Sequence, residues 1–161
     1  MERLWSPWRA RYIASALDAQ NEACVFCAIA KDPEHDEENF VLHRAQHCFV
    51  LLNLYPYISG HLMIVPYLHT SEFDSAPKEV TDEMMDQTKH AQTSLREVYN
   101  PPGFNMGMNL GAVAGAGIVD HLHIHLLPRW GGDTNFMTTI GETRVLPEDL
   151  STTYSKLRPK F

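Results

Sequence analysis

Three histidines stand at alternate positions, His121, His123 and His125, with Leu122 and Ile124 between them. Side chains alternate sides along a strand, so this spacing puts all three imidazoles on one face and Leu122, Ile124 and Leu126 on the other. The apolar face can anchor in a core, which holds the imidazole face rigidly, as precise chemistry requires. Imidazole can bind a metal, move a proton or attack an electrophile. Upstream lie Asn109 and the small-residue run Gly111 to Gly117. Such a loop can turn backbone N–H groups toward a phosphate. A nucleophile, an amide-lined loop and neutral donors together suit phosphoryl chemistry, where charge growing on non-bridging oxygens needs donors already in place. Spacing alone leaves three readings open: a nucleophile or acid–base group, a metal site, or a surface accident.

The chain has three cysteines, Cys24, Cys27 and Cys48. An odd, small number does not suggest a disulfide scaffold. Cys24 and Cys27 have metal-ligand spacing but need two further ligands. A redox pair and two buried thiols are the other readings, although no thioredoxin-like pattern surrounds them. Cys48 falls inside an apolar run and reads as core.

The elements that must hold these residues follow from periodicity. Phe40–His43 and His47–Asn53 read as strands joined by a turn at Arg44–Gln46. Asn53–Gly60 is a loop and His61–Pro66 a short buried strand. Val80, Met84, Thr88, Ala91, Leu95 and Val98 recur at helical steps after Ser75 and Pro77, and Asn100-Pro101-Pro102-Gly103 ends that helix. Phe104–Leu110 alternates like a half-buried strand, as does His121–Leu127. Met63, Met84, Met106 and Met108 read as core. Several strands with one long helix imply an α+β fold on an antiparallel sheet.

The chain has 161 residues, enough for one domain with a sizeable core. It is 44% apolar and 20% charged, as soluble globular chains are, and it holds no long apolar run that would span a membrane. The N-terminal stretch lacks a secretory pattern, so a cytoplasmic location is expected. A net charge of −7 argues against a nucleic-acid binder working by broad phosphate neutralisation. A small anionic substrate stays possible, because a few local donors suffice. The acidic run Asp32–Asn39 reads as a solvated loop.

The segment HLHIHLLPRW resembles the signature of the histidine triad (HIT) family, three histidines each followed by apolar residues. Asn53, Pro56, Gly60-His61, the strand to Pro66 and His69 look like the first half of a HIT domain. The likeness covers roughly Cys24 to Trp130. RWGGDTNFM after the triad and LWSPWR near the start are similar to a bacterial branch related to diadenosine tetraphosphate phosphorylases.

The resemblance implies an antiparallel sheet of about five strands with one long helix and a shorter one, extended across a homodimer. Residues 1–20 would form an N-terminal arm, 21–135 the HIT domain and 136–161 a C-terminal segment. It further implies a nucleotidyl hydrolase or transferase acting on dinucleoside polyphosphates through a covalent nucleotidyl-histidine. His123 matches the nucleophile, His125 the residue at the phosphate and leaving group, and His121 the first of the triad. Asn53 matches a ribose-binding position, His61 the histidine packed behind the catalytic strand, and Asn109 a residue near the phosphates. The family's Gln and Ser/Thr before the triad are replaced here by Gly117 and Ile118, so backbone amides at Gly115, Ala116 and Gly117 are expected to serve the phosphates. That departure leaves water and phosphate both open as acceptor.

Trp130 is expected beside the nucleotide, whereas Trp5 and Trp8 are expected to pack in the core or at an interface. Arg129 suits a phosphate contact or a strand-capping ion pair. The resemblance also implies a structural zinc on Cys24, Cys27, His69 and His121, and a divalent cation such as magnesium with the substrate. A nucleoside phosphoramidate hydrolase, a nucleotide-binding regulatory module and a zinc-stabilised scaffold are the rival readings.

Overall fold

The computed structural model describes residues 24–133 and 146–161. The expected arm with Trp5 and Trp8, and the boundary at residue 135, lie outside the described residues. Five strands form one antiparallel sheet: β1 (Val41–Arg44), β2 (Cys48–Leu52), β3 (Leu62–Pro66), β4 (Gly103–Gly107) and β5 (Ile124–Arg129), in the order β1-β2-β3-β5-β4. Among the described residues three α-helices accompany them: α1 (Val25–Lys31), α2 (Lys78–Tyr99) and α3 (Leu150–Leu157). The expected α+β class and strand number are observed, with two short helices beside the long one among the described residues.

The sheet is apolar on both faces, and the two faces are covered differently. Val80, Met84, Ala91 and Leu95 of α2 pack with Leu42, Val50, Leu52, Leu62, Ile64, Leu122, Ile124 and Leu126, joined by Tyr154 and Leu157 of α3. The opposite face sets Val41, Phe49, Leu51, Met63 and Val65 against Phe26 and Ile29 of α1. The helical period of α2 thus does what the sequence pattern requires. Asn100 closes the helix in the left-handed region (φ 45°), its N–H donating to the Arg96 carbonyl, and Pro101 prevents continuation.

Two strands differ from expectation. β4 stops at Gly107 rather than Leu110, and Met106, expected in the core, is 54% exposed. As the outermost strand among the described residues, β4 pairs with β5 on one side. β5 enters the ladder at Ile124 rather than His121. The three residues before it are tied instead by the Leu122 N–H, which donates to the Thr70 carbonyl at 2.7 Å. The alternation nevertheless holds through this segment, because Leu122, Ile124 and Leu126 all enter the α2-covered core. Each such burial contributes about 1.5–3 kcal/mol, enough to fix which way the intervening imidazoles turn.

One carboxylate on α2 sets the β1–β2 turn. Glu83 accepts from the amides of Gln46 (3.2 Å), His47 (2.5 Å) and Cys48 (3.0 Å). Burial pushes its pKa up, but these donors outweigh burial and hold it below the usual carboxylate value. A depressed folded pKa contributes stability that is complete above the unfolded value, about 4.3, and is lost as pH falls through the folded one. Glu83→Gln is therefore expected to destabilise the protein by about 1–3 kcal/mol near neutrality. It should also flatten the acid limb of a stability–pH curve, read by urea unfolding between neutral and acid pH.

Candidate active site

Four metal-competent side chains converge where α1 meets the segment leading into β5. Cys24, Cys27, His69 and His121 place one ligand atom each, all within 4.8 Å of one another. His121 is fully buried, and its Nε2 donates to the Pro66 carbonyl at 2.8 Å. A carbonyl can only accept, so the proton sits on Nε2 and Nδ1 carries a lone pair. That lone pair meets the Cys24 sulfur at 3.3 Å, the Cys27 sulfur at 3.7 Å and His69 Nδ1 at 3.3 Å. Hydrogen bonding does not account for three heteroatoms gathered on one lone pair, whereas a shared cation does. Tetrahedral zinc, with bonds of about 2.0–2.1 Å to nitrogen and 2.3 Å to sulfur, sets its nitrogens about 3.3 Å apart and nitrogen from sulfur about 3.5 Å. The cluster fits a metal ion on both donor type and spacing, and the Pro66 carbonyl supplies the outer partner that such a histidine needs.

The remaining histidines are fixed by a chain of one-way hydrogen bonds. His123 Nδ1 donates to the His121 carbonyl at 2.9 Å, which leaves the lone pair on Nε2. The Tyr57 backbone N–H donates to His61 Nδ1 at 3.2 Å. His61 therefore carries its proton on Nε2, which faces His125 Nδ1 at 2.9 Å. His125 accepts there, so its own proton is on Nε2. Two adjacent rings, with centroids 4.7 Å apart, thus offer opposite chemistry: a lone pair from His123 and an N–H from His125.

Electrostatics keeps both rings neutral. Burial lowers the pKa of His123, and burial followed by the neighbouring His123 lowers His125 to about 4. His121 is lowered as well, again chiefly by burial. A neutral His123 is a nucleophile without prior deprotonation.

His61, 1% exposed, stands just before β3 with its Nε2 against His125 of β5. Asn53 is half-buried and engaged locally: its Oδ1 accepts from the Tyr55 amide at 2.9 Å, and its Nδ2 lies 3.4 Å from His61 Nδ1. Asn109 reaches across the small-residue loop, donating to the Gly115 carbonyl at 3.4 Å. The loop itself differs from an open cradle. The Gly115 amide closes on the Ala112 carbonyl (3.0 Å) and the Ala116 amide on Gly111 (3.3 Å), with Gly111 and Gly115 at φ of 84° and 89°. These two N–H groups are spent on the turn, while Gly117 is exposed beyond it.

Trp130 is not brought to the triad. Five residues beyond His125 on an extended strand is about 17 Å, and the indole instead meets Tyr99 edge-on at 6.3 Å. Arg129 takes the ion-pair role, bonding Asp133 through Nε at 2.5 Å and Nη2 at 2.7 Å. His123 is only 4% exposed. A cleft of about 470 Å³ is lined by Ser71–Asp74, Leu110, Gly111, Val119 and Asp120, and no triad histidine lines it.

Two residues at the site went unread in the sequence. Tyr57 stacks on His125 (28°, centroids 6.2 Å) and sets the proton of His61 through its backbone. No side-chain pattern announces a main-chain donor. Phe26, 2% exposed, stands between the two cysteines and meets both His121 and His123. Its place inside the C-x-x-C pair was the available signal.

Comparison with known proteins gives a consistent picture. The family described as "HIT domain" matches residues 34–132. An "AP-4-A phosphorylase" of Mycobacterium tuberculosis is 41% identical over 157 residues, which is 95% of this chain and 80% of that protein. The crystal structure of a "ZN-bound histidine triad family protein" from Mycobacterium smegmatis superposes with a TM-score of 0.68 at 25% identity, covering 86% of this chain and 92% of the other. A histidine triad nucleotide-binding protein from Sulfolobus tokodaii gives a TM-score of 0.67 at 22% identity, over 85% and 91% of the two chains, and so shares the fold.

Proposed function

The chain belongs to the HIT domain family, and from that premise we propose that it is a nucleotidyl transferase or hydrolase that cleaves dinucleoside polyphosphates, diadenosine tetraphosphate foremost. The observation that carries the reading is the locked tautomer of His123, whose Nδ1–H is held by the His121 carbonyl. The Nε2 lone pair attacks the α-phosphorus in line. A P–N bond forms, the P–O bond to the departing nucleotide breaks, and the N–H of His125 meets the oxygen that leaves. Nucleotide phosphates leave readily, so positioning and charge stabilisation carry most of the acceleration. Water or inorganic phosphate then attacks the nucleotidyl-histidine, breaking the P–N bond and freeing the imidazole. Asn53, Asn109 and the exposed Gly117 are assigned to the nucleotide, with magnesium arriving on the polyphosphate. The 41% identity to a phosphorylase favours phosphate as the acceptor.

Zinc is assigned to Cys24, Cys27, His69 and His121. When bound it supplies a structural cross-link, since all four ligands come from the protein. Among the described residues β4 is the outermost strand, with Met106 exposed on it, which supports a homodimer whose sheet runs on through two copies. Among the described residues no helix is long and apolar enough to cross a membrane, and we place the protein in the cytoplasm.

Product analysis tests the reaction. Purified protein is incubated with diadenosine tetraphosphate, with and without inorganic phosphate. ATP plus ADP appearing only with phosphate is the expected result. AMP plus ATP would make the protein an asymmetric hydrolase, and no turnover on a panel of dinucleoside polyphosphates would reject the reading.

A further inference from the structure

We propose that Phe26 is a positioning residue for His123, the part through which the metal-binding helix holds the nucleophile in line. The inference rests on the proposed role of His123 and adds a residue that touches neither substrate nor metal. Phe26 lies between Cys24, the N-cap of α1, and Cys27 in its first turn, so any ion gripping both cysteines fixes both ends of the turn that carries it. Its ring meets His121 at 5.4 Å and 80°, and His123 at 5.1 Å and 61°, both edge-on. It is 2% exposed, and His123 beneath it is 4% exposed.

The need for such a wall follows from how His123 is otherwise held. Along its own segment, His123 precedes the first ladder residue of β5, so no strand pairing fixes its backbone. One hydrogen bond, to a carbonyl two residues back, orients the ring. A single bond allows the ring to rock about the donor–acceptor line. A ring edge packed against it removes that freedom, and the His125 ring lies against it as well at 4.7 Å. In-line attack is sensitive to this, because a misplacement of about 1 Å can cost on the order of 10²-fold in rate.

Ile29 provides the control. It sits one turn further along α1, buried in the same apolar cluster, and makes no ring contact with the triad. The full-length, zinc-loaded protein is compared as wild type, Phe26→Leu, Phe26→Ala and Ile29→Ala on diadenosine tetraphosphate with phosphate. Phe26→Leu keeps the apolar bulk but loses the flat edge. It is expected to lower kcat about tenfold, with KM within about twofold and zinc stoichiometry unchanged, and Phe26→Ala more. In the nitrogen-edited NMR spectrum of the histidines, the Nδ1–H signal of His123 should exchange faster with water in both Phe26 variants. Ile29→Ala should lower the melting temperature while keeping kcat and that signal. If Phe26→Ala does not fold or load zinc, Phe26→Leu decides. A kcat for Phe26→Leu within twofold of wild type, or an equal drop in Ile29→Ala, overturns the proposal. Should His123→Ala itself keep activity, the reading of the reaction fails instead, whatever the Phe26 variants do.

Discussion

Replacing His123 by alanine is expected to lower kcat on diadenosine tetraphosphate by about 10⁴-fold or more, the scale seen when a nucleophile is removed from a concerted site. No neighbour can take its place. His121 turns its one lone pair into the Cys/His cluster, His61 spends its own on the Tyr57 amide, and that of His125 accepts from the His61 Nε2–H. Of the four rings, only that of His123 has its lone pair left for an electrophile. The variant should still fold, although the His121 carbonyl loses its donor, which costs about 1–3 kcal/mol. A melting temperature a few degrees lower is the matching sign. Two measurements check the claim together: steady-state turnover, and acid-quenched trapping of radiolabelled adenylate on the protein. Turnover surviving within tenfold, or label retained by the variant, would end the assignment.

The second large effect concerns the metal. His69 is exposed, and substitutions at exposed positions ordinarily change stability by no more than about 0.5 kcal/mol. His69→Ala is expected to break that rule, because it removes one of four ligands joining α1, the β3–α2 loop and the lead into β5. A loss of about 4 kcal/mol, and so about 10 °C in melting temperature, is the anticipated size. A strong chelator should bring the wild type down to the variant and leave the variant unmoved. Activity should fall with metal content, since the carbonyl that holds His123 belongs to the ligand His121. Purified protein with no metal and an unchanged melting temperature on chelation would refute the site.

The parts of this architecture that were legible in the sequence are those with a period. The spacing of Val80, Met84, Thr88, Ala91 and Leu95 is dictated by the helix that buries them. The alternation through Leu122, Ile124 and Leu126 likewise told which way the histidines face, even where the ladder had not begun. The Cys/His set was found through family likeness, since no spacing rule links residue 24 to residue 121. What stayed hidden has no side-chain signature. Helix α1 is seven residues long, too short for a periodic signal. The small-residue loop consumes its own Gly115 and Ala116 amides, a matter of backbone conformation alone. Met106 alternates as a core residue should and is exposed nevertheless, because alternation cannot say whether a strand ends up at the margin of a sheet. Trp130 lies just past the end of β5 against Tyr99, where closeness in sequence to the triad still leaves a long span of extended chain.

The strand order has a consequence for synthesis. Among the described residues β5 is the last strand in sequence, yet it lies between β3 and β4, and β4 joins the sheet through it. A nascent chain that has emerged as far as Gly107 can pair its first three strands, but β4 must wait without a partner. The histidine strand is thus the keystone: it completes the sheet and delivers the reactive ring in the same event. A chain cut short before β5 would hold neither a finished sheet nor the triad itself, so sheet closure and placement of the histidines are one event.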